Sequence, residues 1–155
     1  MQLIRTNSDH PLFLELVRLL NQELNERYGV LQGQYDEYNL FPIPVDVILL
    51  LENDQKAIAC GALRRFEDSN WVEMKRVFVR SDYRGQGHSK PIILALEAWA
   101  TEQGFDAIVL ETGKRLHEAV SLYKRMNYAV IENFGPYIGM PLSICMKKDL
   151  NSKIK

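Results

Sequence analysis

The chain has 155 residues, of which 46% are hydrophobic and 25% are charged, and its formal net charge is -1. This length and composition predict one soluble globular domain with a sizeable core, and the near-neutral charge gives no reason to expect a nucleic-acid partner. No apolar run approaches the roughly 20 residues that span a bilayer, and the N-terminus lacks the apolar stretch of a secretory signal.

The first elements predicted along the chain are a strand, a helix and a loop. Residues 2–6 have the pattern of a short strand, residues 7–9 offer N-cap side chains, and Pro11 suits the first turn of a helix. Leucines at helical spacing extend this helix to about Tyr28. Residues 29–44 combine glycine, proline and aromatic side chains without a clean period, which predicts a loop with one helical turn at most.

The middle of the chain predicts an antiparallel meander of three strands. Turn-forming residues separate these strands, which are expected at residues 45–52, 57–66 and 71–80. The later elements are expected to be a helix at about 87–103, a strand at 107–111, a helix at 116–126, and strands at 128–131 and 142–147. Three strands followed by alternating helices and strands predict a mixed α+β sheet with a parallel part at its centre.

The cysteines and histidines show no pattern of metal ligands. Cys60 and Cys145 lie far apart in apolar stretches, which predicts buried free thiols and a reducing cytoplasm. A nucleophilic cysteine is the alternative, but no neighbouring residue supports it. Because His10, His88 and His117 also lack metal spacing, no metal is expected.

A basic, glycine-rich turn connects the meander to the next helix. Its residues are Arg84, Gly85, Gln86, Gly87, His88, Ser89 and Lys90. Glycines let the backbone adopt positive φ and approach a ligand closely, and the first N–H groups of a helix have no acceptor within it. With the charges of Arg84 and Lys90, the turn predicts a diphosphate site; a plain glycine turn that opens a helix is the alternative. It matches neither the nucleoside triphosphate loop nor the dinucleotide fingerprint.

The glycine turn resembles motif A of the GCN5-related N-acetyltransferase (GNAT) superfamily, whose pattern is Gln/Arg-x-x-Gly-x-Gly/Ala. Arg84 and Gly87 match the first two marked positions, whereas Ser89 replaces the glycine or alanine at the third. Residues 119–128 resemble motif B, A-x-x-L-Y-x-x-x-G-F, with Asn127 in place of the glycine. Asparagine tolerates the left-handed conformation at a helix end better than most residues.

The resemblance covers residues 57–148 and implies both a fold and a cosubstrate. The implied fold is a central mixed sheet of about six or seven strands, with an antiparallel N-terminal meander, splayed parallel strands four and five, and about four flanking helices. The implied cosubstrate is acetyl-CoA, whose pantetheine arm pairs with backbone groups of Phe78 and Val79. The N–H groups of residues 85–90 hold its pyrophosphate, and His88 either assists there or is a solvated residue at the start of the helix.

Acetyl transfer to an amine requires two proton transfers. A lysine-like amine has a pKa near 10.4, so its deprotonation at pH 7 costs roughly 4.6 kcal/mol. The leaving thiolate, with a pKa near 8.5, is stabilised by an acid that protonates it. The resemblance places Tyr123 where the motif B tyrosine donates to the leaving sulfur; the alternative is that Tyr123 only packs on the apolar face of its helix.

Glu73 is the candidate base, because the resemblance places it where a family glutamate often acts through a water molecule. Counting along the strand puts Glu73 on the same face as Val79. The alternative is a solvent-facing glutamate that pairs with Lys75 or Arg65. Glu111, at the end of the next predicted strand, is the competing base.

The acceptor is the least defined part of the prediction. Tyr35, Tyr38, Phe41 and the segment 134–137 fall where the family builds its acceptor wall, although loop aromatics equally often plug a small core. The resemblance implies a small-molecule or protein amine as partner, without nucleic acid or membrane, and it leaves a homodimer open.

The sequence thus predicts an N-acetyltransferase in which the amine attacks acetyl-CoA directly within a ternary complex. A non-catalytic acyl-CoA-binding sensor is the competing hypothesis. It would keep the glycine turn but would lack the proton-transfer groups assigned to Tyr123 and Glu73. A third hypothesis is an unrelated anion-binding α/β domain.

Overall fold

The structure, a computed structural model, describes residues 1–28, 43–66 and 69–150. In these ranges the chain forms seven strands: β1 (Gln2–Asn7), β2 (Asp46–Asn53), β3 (Lys56–Arg65), β4 (Trp71–Val79), β5 (Ala107–Gly113), β6 (Ala129–Ile131) and β7 (Ser143–Asp149). The α-helices of these ranges are α1 (Pro11–Tyr28), α2 (Ser89–Glu102) and α3 (His117–Arg125). The aromatic residues Tyr35, Tyr38 and Phe41 lie outside the described residues. None of the described helices is long and apolar enough to cross a membrane.

The strands form one mixed sheet in the order β1-β2-β3-β4-β5-β7-β6. β2 pairs antiparallel with both β1 and β3. β4 and β5 pair in parallel, from Trp71 opposite Ala107 to Met74 opposite Leu110, and both strands continue beyond this paired stretch. β7 lies between β5 and β6 and is antiparallel to both. This topology confirms the predicted mixed sheet with antiparallel strands first and a parallel pair in its middle.

The predicted bounds of the strands and helices differ from the observed ones by at most two residues, but the prediction for the start of α1 is wrong in one respect. The N-cap was expected among residues 7–9, whereas Nδ1 of His10 accepts a hydrogen bond from the N–H of Leu12 at 3.1 Å. Ser8 instead accepts a hydrogen bond from the N–H of Val45 at 2.9 Å through its Oγ. A partner this distant in sequence could not be foreseen from the local pattern.

The chain contains two compact units. The first consists of Met1–Arg64 with Lys75–Ala98, and the second of Arg65–Met74 with Trp99–Lys155. β4 contributes residues to both units, because the boundary falls between Met74 and Lys75. That the chain is a single domain stays a prediction.

The core of the first unit positions both α1 and α2 on its strands. Phe13 and Leu16 of α1 are buried against apolar residues of β2 and β3. On β3, a Cβ at Gly61 would lie 2.7 Å from Cδ1 of Leu96 and 2.9 Å from Cγ2 of Ile92, both in α2. Such distances are too short for any residue but glycine unless these side chains or the helix itself shift. The close packing at Gly61 therefore fixes α2, and with it the turn at the N-terminus of α2.

Candidate active site

The glycine turn (residues 84–90) belongs to the first unit and leads from the end of β4 into α2. Gly85 and Gly87 have φ of 76° and 81°, a left-handed conformation that is strained for most other residues. No atom lies within 4 Å of the position that a Cβ would take at either residue. None of the N–H groups from Gly85 to His88 donates to a backbone oxygen in the described part of the chain. N–H groups with open space around them fit the predicted diphosphate.

Arg84, which is predicted to bind the cofactor, makes hydrogen bonds within the protein through its side chain. The guanidinium donates to both carboxylate oxygens of Glu23 in α1, at 3.0 and 2.7 Å, and its Nε donates to the carbonyl of Val79 at 2.9 Å. It also lies 5.3 Å from the centre of the Phe78 ring. The planar fork of arginine suits such a bidentate pair. Arg84 therefore ties the turn to α1 and β4, and Glu23 offsets its charge.

The remaining side chains of the turn differ in their exposure. Gln86 and Lys90 are exposed, whereas Ser89, the first residue of α2, is half-buried. The ring of His88 lies 6.4 Å from that of Tyr83, and its Nε2 atom is buried without a hydrogen-bond partner among the described residues. A buried polar atom without a partner is costly, so a phosphate oxygen of a ligand would suit this nitrogen.

β4 has an irregular conformation at Arg76, whose φ is 60°. A left-handed residue other than glycine costs about 1–2 kcal/mol. Two contacts accompany it here: Nη1 of Arg76 donates to Asn21 at 2.8 Å, and Sγ of Cys60 donates to the carbonyl of Arg76 at 3.2 Å. Side chains do not alternate regularly between the two faces of a strand through such a residue. The alternation therefore does not place Glu73 and Val79 on one face, as the sequence predicted. Nothing in the local sequence marks an arginine as left-handed.

Glu73 lies in the part of β4 that belongs to the second unit and is buried, with 2% exposure. Parallel pairing places it opposite Val109 of β5. The hydroxyl of Tyr137 donates a hydrogen bond to Oε2 of Glu73 at 3.1 Å. The alternative of a solvent-facing glutamate is therefore wrong, and a buried carboxylate of this kind depends on donors supplied by the fold.

Glu111 occupies a comparable place on β5. Its side chain is half-buried and accepts a hydrogen bond from Oγ of Ser143 at 2.8 Å. Opposite Glu111 in the register with β7 is Cys145, a buried free thiol. The pKa of Cys145 is raised to about 11, mainly by burial and in part by the charges of Glu111 and Glu73. Both carboxylates thus act on one thiol, and we call Glu73, Glu111, Tyr137 and Ser143 the carboxylate cluster.

Tyr123 lies on α3 in the same unit and is buried, with 8% exposure. Its ring meets that of Tyr128 edge-on, with the ring centres 5.6 Å apart. Burial raises the pKa of Tyr123, and the charge of Glu111 raises it further, so the hydroxyl stays protonated at neutral pH. The ring packs within the protein, as the packing interpretation expected. The hydroxyl is protonated, as donation to the leaving sulfur requires. Just beyond the helix, Asn127 has φ of 74°, as predicted for the residue that replaces the motif B glycine.

Sequence reasoning missed the residues that hold the carboxylates. The segment 134–137, which contains Tyr137, was expected either to belong to the acceptor wall or to plug a small core, and neither Ser143 nor Asn133 was singled out. The side-chain amide of Asn133 donates to three backbone carbonyls, those of Tyr137, Met140 and Ser143, at 3.1, 3.4 and 3.3 Å. No local pattern could reveal these roles, because Tyr137 and Glu73 are 64 residues apart in sequence.

Comparisons with known proteins agree with this geometry. The model of the acetyltransferase (GNAT) family matches residues 15–128. The IAA acetyltransferase of Azospirillum brasilense is 27% identical over 137 residues, which cover 88% of this chain and 90% of that protein. A solved structure from Klebsiella pneumoniae, classed as an acyl-CoA N-acyltransferase, is 30% identical with a TM-score of 0.78, covering 96% of this chain and 97% of that one.

A more distant solved structure contains the cosubstrate. It is a protein of Bacillus anthracis, classed as a streptothricin acetyltransferase and solved in complex with acetyl coenzyme A. It is 20% identical with a TM-score of 0.58, covers 73% of this chain and 66% of that one, and supports the fold alone. Taken with the match of the family model, these likenesses show that the chain is an acetyltransferase of the GNAT family.

Proposed function

We propose that the protein transfers the acetyl group of acetyl-CoA to a primary amine of a small molecule or of a protein. The observation that carries the proposal is the pair of left-handed glycines, Gly85 and Gly87, with open space at both positions. A Cβ at either residue would stand where a phosphate must approach the N–H groups. Family membership supports the same ligand, because the matched model covers this turn.

Acetyl-CoA supplies the acetyl group as an activated thioester, and residues of the first unit would bind it. The N–H groups of residues 85–90 would hold the pyrophosphate, with Nε2 of His88 donating a hydrogen bond to the same group. Backbone groups of Phe78 and Val79 would pair with the pantetheine arm. The Val79 carbonyl already accepts a hydrogen bond from Arg84, and a carbonyl oxygen can accept a second one.

The proposed proton transfers belong to residues of the second unit. The neutral amine attacks the thioester carbonyl directly, so that a C–N bond forms and the C–S bond breaks. Glu73 accepts the proton that the amine nitrogen loses, through a water molecule, and later returns it to solvent. Tyr123 donates its proton to the leaving sulfur, which gives the CoA thiol, and is then reprotonated. Its raised pKa keeps the hydroxyl protonated at neutral pH, so that it is available as a donor to the sulfur.

Two observations favour this proposal over a non-catalytic acyl-CoA sensor. A sensor would use the glycine turn but would have no use for the buried carboxylate of Glu73 or for a protonated tyrosine beside Glu111. The Azospirillum brasilense relative, which matches most of this chain, is itself named for acetyl transfer. We also propose a cytoplasmic location, since Cys60 and Cys145 are free and buried, and no nucleic-acid or membrane partner.

The test is a panel of primary amines incubated with acetyl-CoA, in which release of the CoA thiol is followed and the acetylated amine is identified by mass. At least one amine should accelerate thiol release above background hydrolysis. With that amine, Glu73→Gln should lower kcat by about 10²-fold or more, whereas Glu111→Gln should have a smaller effect. If acetyl-CoA binds but no amine in a broad panel accelerates thiol release, the sensor hypothesis replaces this one.

A further inference from the structure

The segment between β6 and β7 supplies hydrogen-bond donors to both carboxylates of the second unit. Tyr137, with 1% exposure, lies in a short 3-10 turn (Gly135–Tyr137) and donates to Glu73. Ser143, the first residue of β7, is buried and donates to Glu111. Donors from a single stretch of chain thus meet carboxylates on two neighbouring strands.

One side chain organises this stretch. The amide of Asn133 donates to the carbonyls of Tyr137 and Ser143, the two residues whose hydroxyls meet the carboxylates. Phe134 packs edge-on against the Tyr137 ring with 5.5 Å between ring centres, and against Phe66 with 4.9 Å. Backbone and ring are both held, so the Tyr137 hydroxyl has little freedom to leave Glu73.

We propose that residues 133–143 form a positioning segment for the carboxylate cluster, in which Tyr137 orients Glu73 and Ser143 orients Glu111. The inference rests on the proposed function, because it takes Glu73 as the group that accepts the amine proton. Tyr137 touches neither substrate in this scheme and acts through Glu73. It is therefore a positioning residue.

The hydrogen bond from Tyr137 has two consequences for Glu73. It holds Oε2 and so restricts the orientation of the whole carboxylate. A neutral donor also stabilises the charged form of a carboxylate over the protonated form. The hydrogen bond from Tyr137 therefore favours the form of Glu73 that can accept a proton.

The test is Tyr137→Phe, assayed with the amine identified above. The value of kcat/KM for the amine should fall about ten- to a hundredfold, as expected for loss of a hydrogen bond to a charged group. The acidic limb of its pH profile should move to higher pH, while KM for acetyl-CoA stays the same. The matched control is Tyr83→Phe, which removes the hydrogen bond between Tyr83 and Glu52 in the first unit and should not move the acidic limb.

A double-mutant cycle distinguishes positioning from an independent role. If Tyr137 acts through Glu73, then Tyr137→Phe should have little further effect on kcat in the Glu73→Gln background. A full, additive loss in that background would overturn the inference. So would a Tyr137→Phe variant with the wild-type rate and pH profile, and in that case the proposed function would stand as long as Glu73→Gln is slow. If Glu73→Gln itself turns over normally, the assignment of the base fails and the inference fails with it.

A second variant keeps the test decisive if Tyr137→Phe does not fold, which its melting temperature would show. Asn133→Ser leaves the tyrosine hydroxyl in place but removes the amide that holds the Tyr137 carbonyl. We expect Asn133→Ser to shift the acidic limb in the same direction by a smaller amount. An unchanged limb in a folded Asn133→Ser variant would contradict the positioning segment.

Discussion

The two units present their candidate functional groups in opposite ways. In the first unit the glycine turn is accessible and offers mostly backbone N–H groups, with its one bidentate side chain, Arg84, bound to Glu23. In the second unit the carboxylate cluster is made of side chains, and three of its four members are buried. The difference indicates that the first unit binds ligand through backbone N–H groups, whereas the second unit transfers protons through buried side chains. Substitutions in each unit should therefore affect different kinetic parameters.

The largest expected effect is on turnover, from a change in the second unit. Tyr123→Phe keeps the ring that packs against Tyr128 and removes the hydroxyl that we assign to the leaving sulfur. The value of kcat should fall about 10²–10⁴-fold, the usual range for an acid–base residue. Affinity for acetyl-CoA, measured by calorimetry, should barely change, because the interaction develops only in the transition state. Near-normal turnover with a lowered melting temperature would mean that Tyr123 is structural.

The next effect is on binding, from a change in the first unit. Gly87→Glu adds a side chain at a φ of 81° and a negative charge where a diphosphate is proposed to bind. Affinity for acetyl-CoA should fall about a hundredfold, because the added side chain blocks the approach to the N–H groups and its carboxylate repels the phosphates. Gly104→Glu is the matched control, because Gly104 has φ of 86° and open space around it but lies after α2. Equal losses of affinity in both variants would place the ligand elsewhere.

The same division explains what could be predicted from the sequence. The glycine turn was predictable because its conformation depends on residue types that are adjacent in the chain, and the positions of the strands and helices along the chain followed from the spacing of apolar runs. The environment of Glu73 was not predictable, because its partner Tyr137 is distant in sequence. In addition, the side chains of β4 do not alternate regularly through Arg76. Arg84 was identified correctly as part of the turn but was assigned to the ligand. Its fork could not be assigned to Glu23 without knowing where α1 lies.

The role of Arg84 can be tested through stability. Arg84→Lys should lower the free energy of unfolding by about 1 kcal/mol, because lysine cannot reproduce the bidentate pair or the bond to the Val79 carbonyl. The pair with Glu23 is 40% and 31% exposed, so solvent screening keeps the effect small. Lys90 is an exposed residue of the same turn, and Lys90→Ala should alter the free energy of unfolding by less than about 0.5 kcal/mol. Urea denaturation measures both. An Arg84→Lys variant of unchanged stability that binds acetyl-CoA less tightly would restore Arg84 as a phosphate ligand.

The smallest expected effect is on the pKa values of two cysteines, Cys60 in the first unit and Cys145 in the second. Burial raises the pKa of Cys60 to about 12, and the charge of Arg76 acts in the opposite direction. Burial also raises the pKa of Cys145 to about 11, but there the charges of Glu111 and Glu73 act in the same direction as burial. Replacing a nearby carboxylate by an amide removes a charge that disfavours the thiolate. Glu111→Gln should therefore lower the pKa of Cys145 and leave that of Cys60 unchanged.

Titration of thiolate absorbance in single-thiol backgrounds measures this difference. Cys60→Ala leaves Cys145 as the reporter, and Cys145→Ala leaves Cys60. The change at Cys145 should be a fraction of a pH unit, because burial is the main cause of its raised pKa and burial is unaffected. Equal changes at both thiols would indicate a general loss of packing, and no change at Cys145 would show that Glu111 is neutral or distant there. A change confined to Cys145 would show that Glu111 is charged in the resting protein and acts on this thiol.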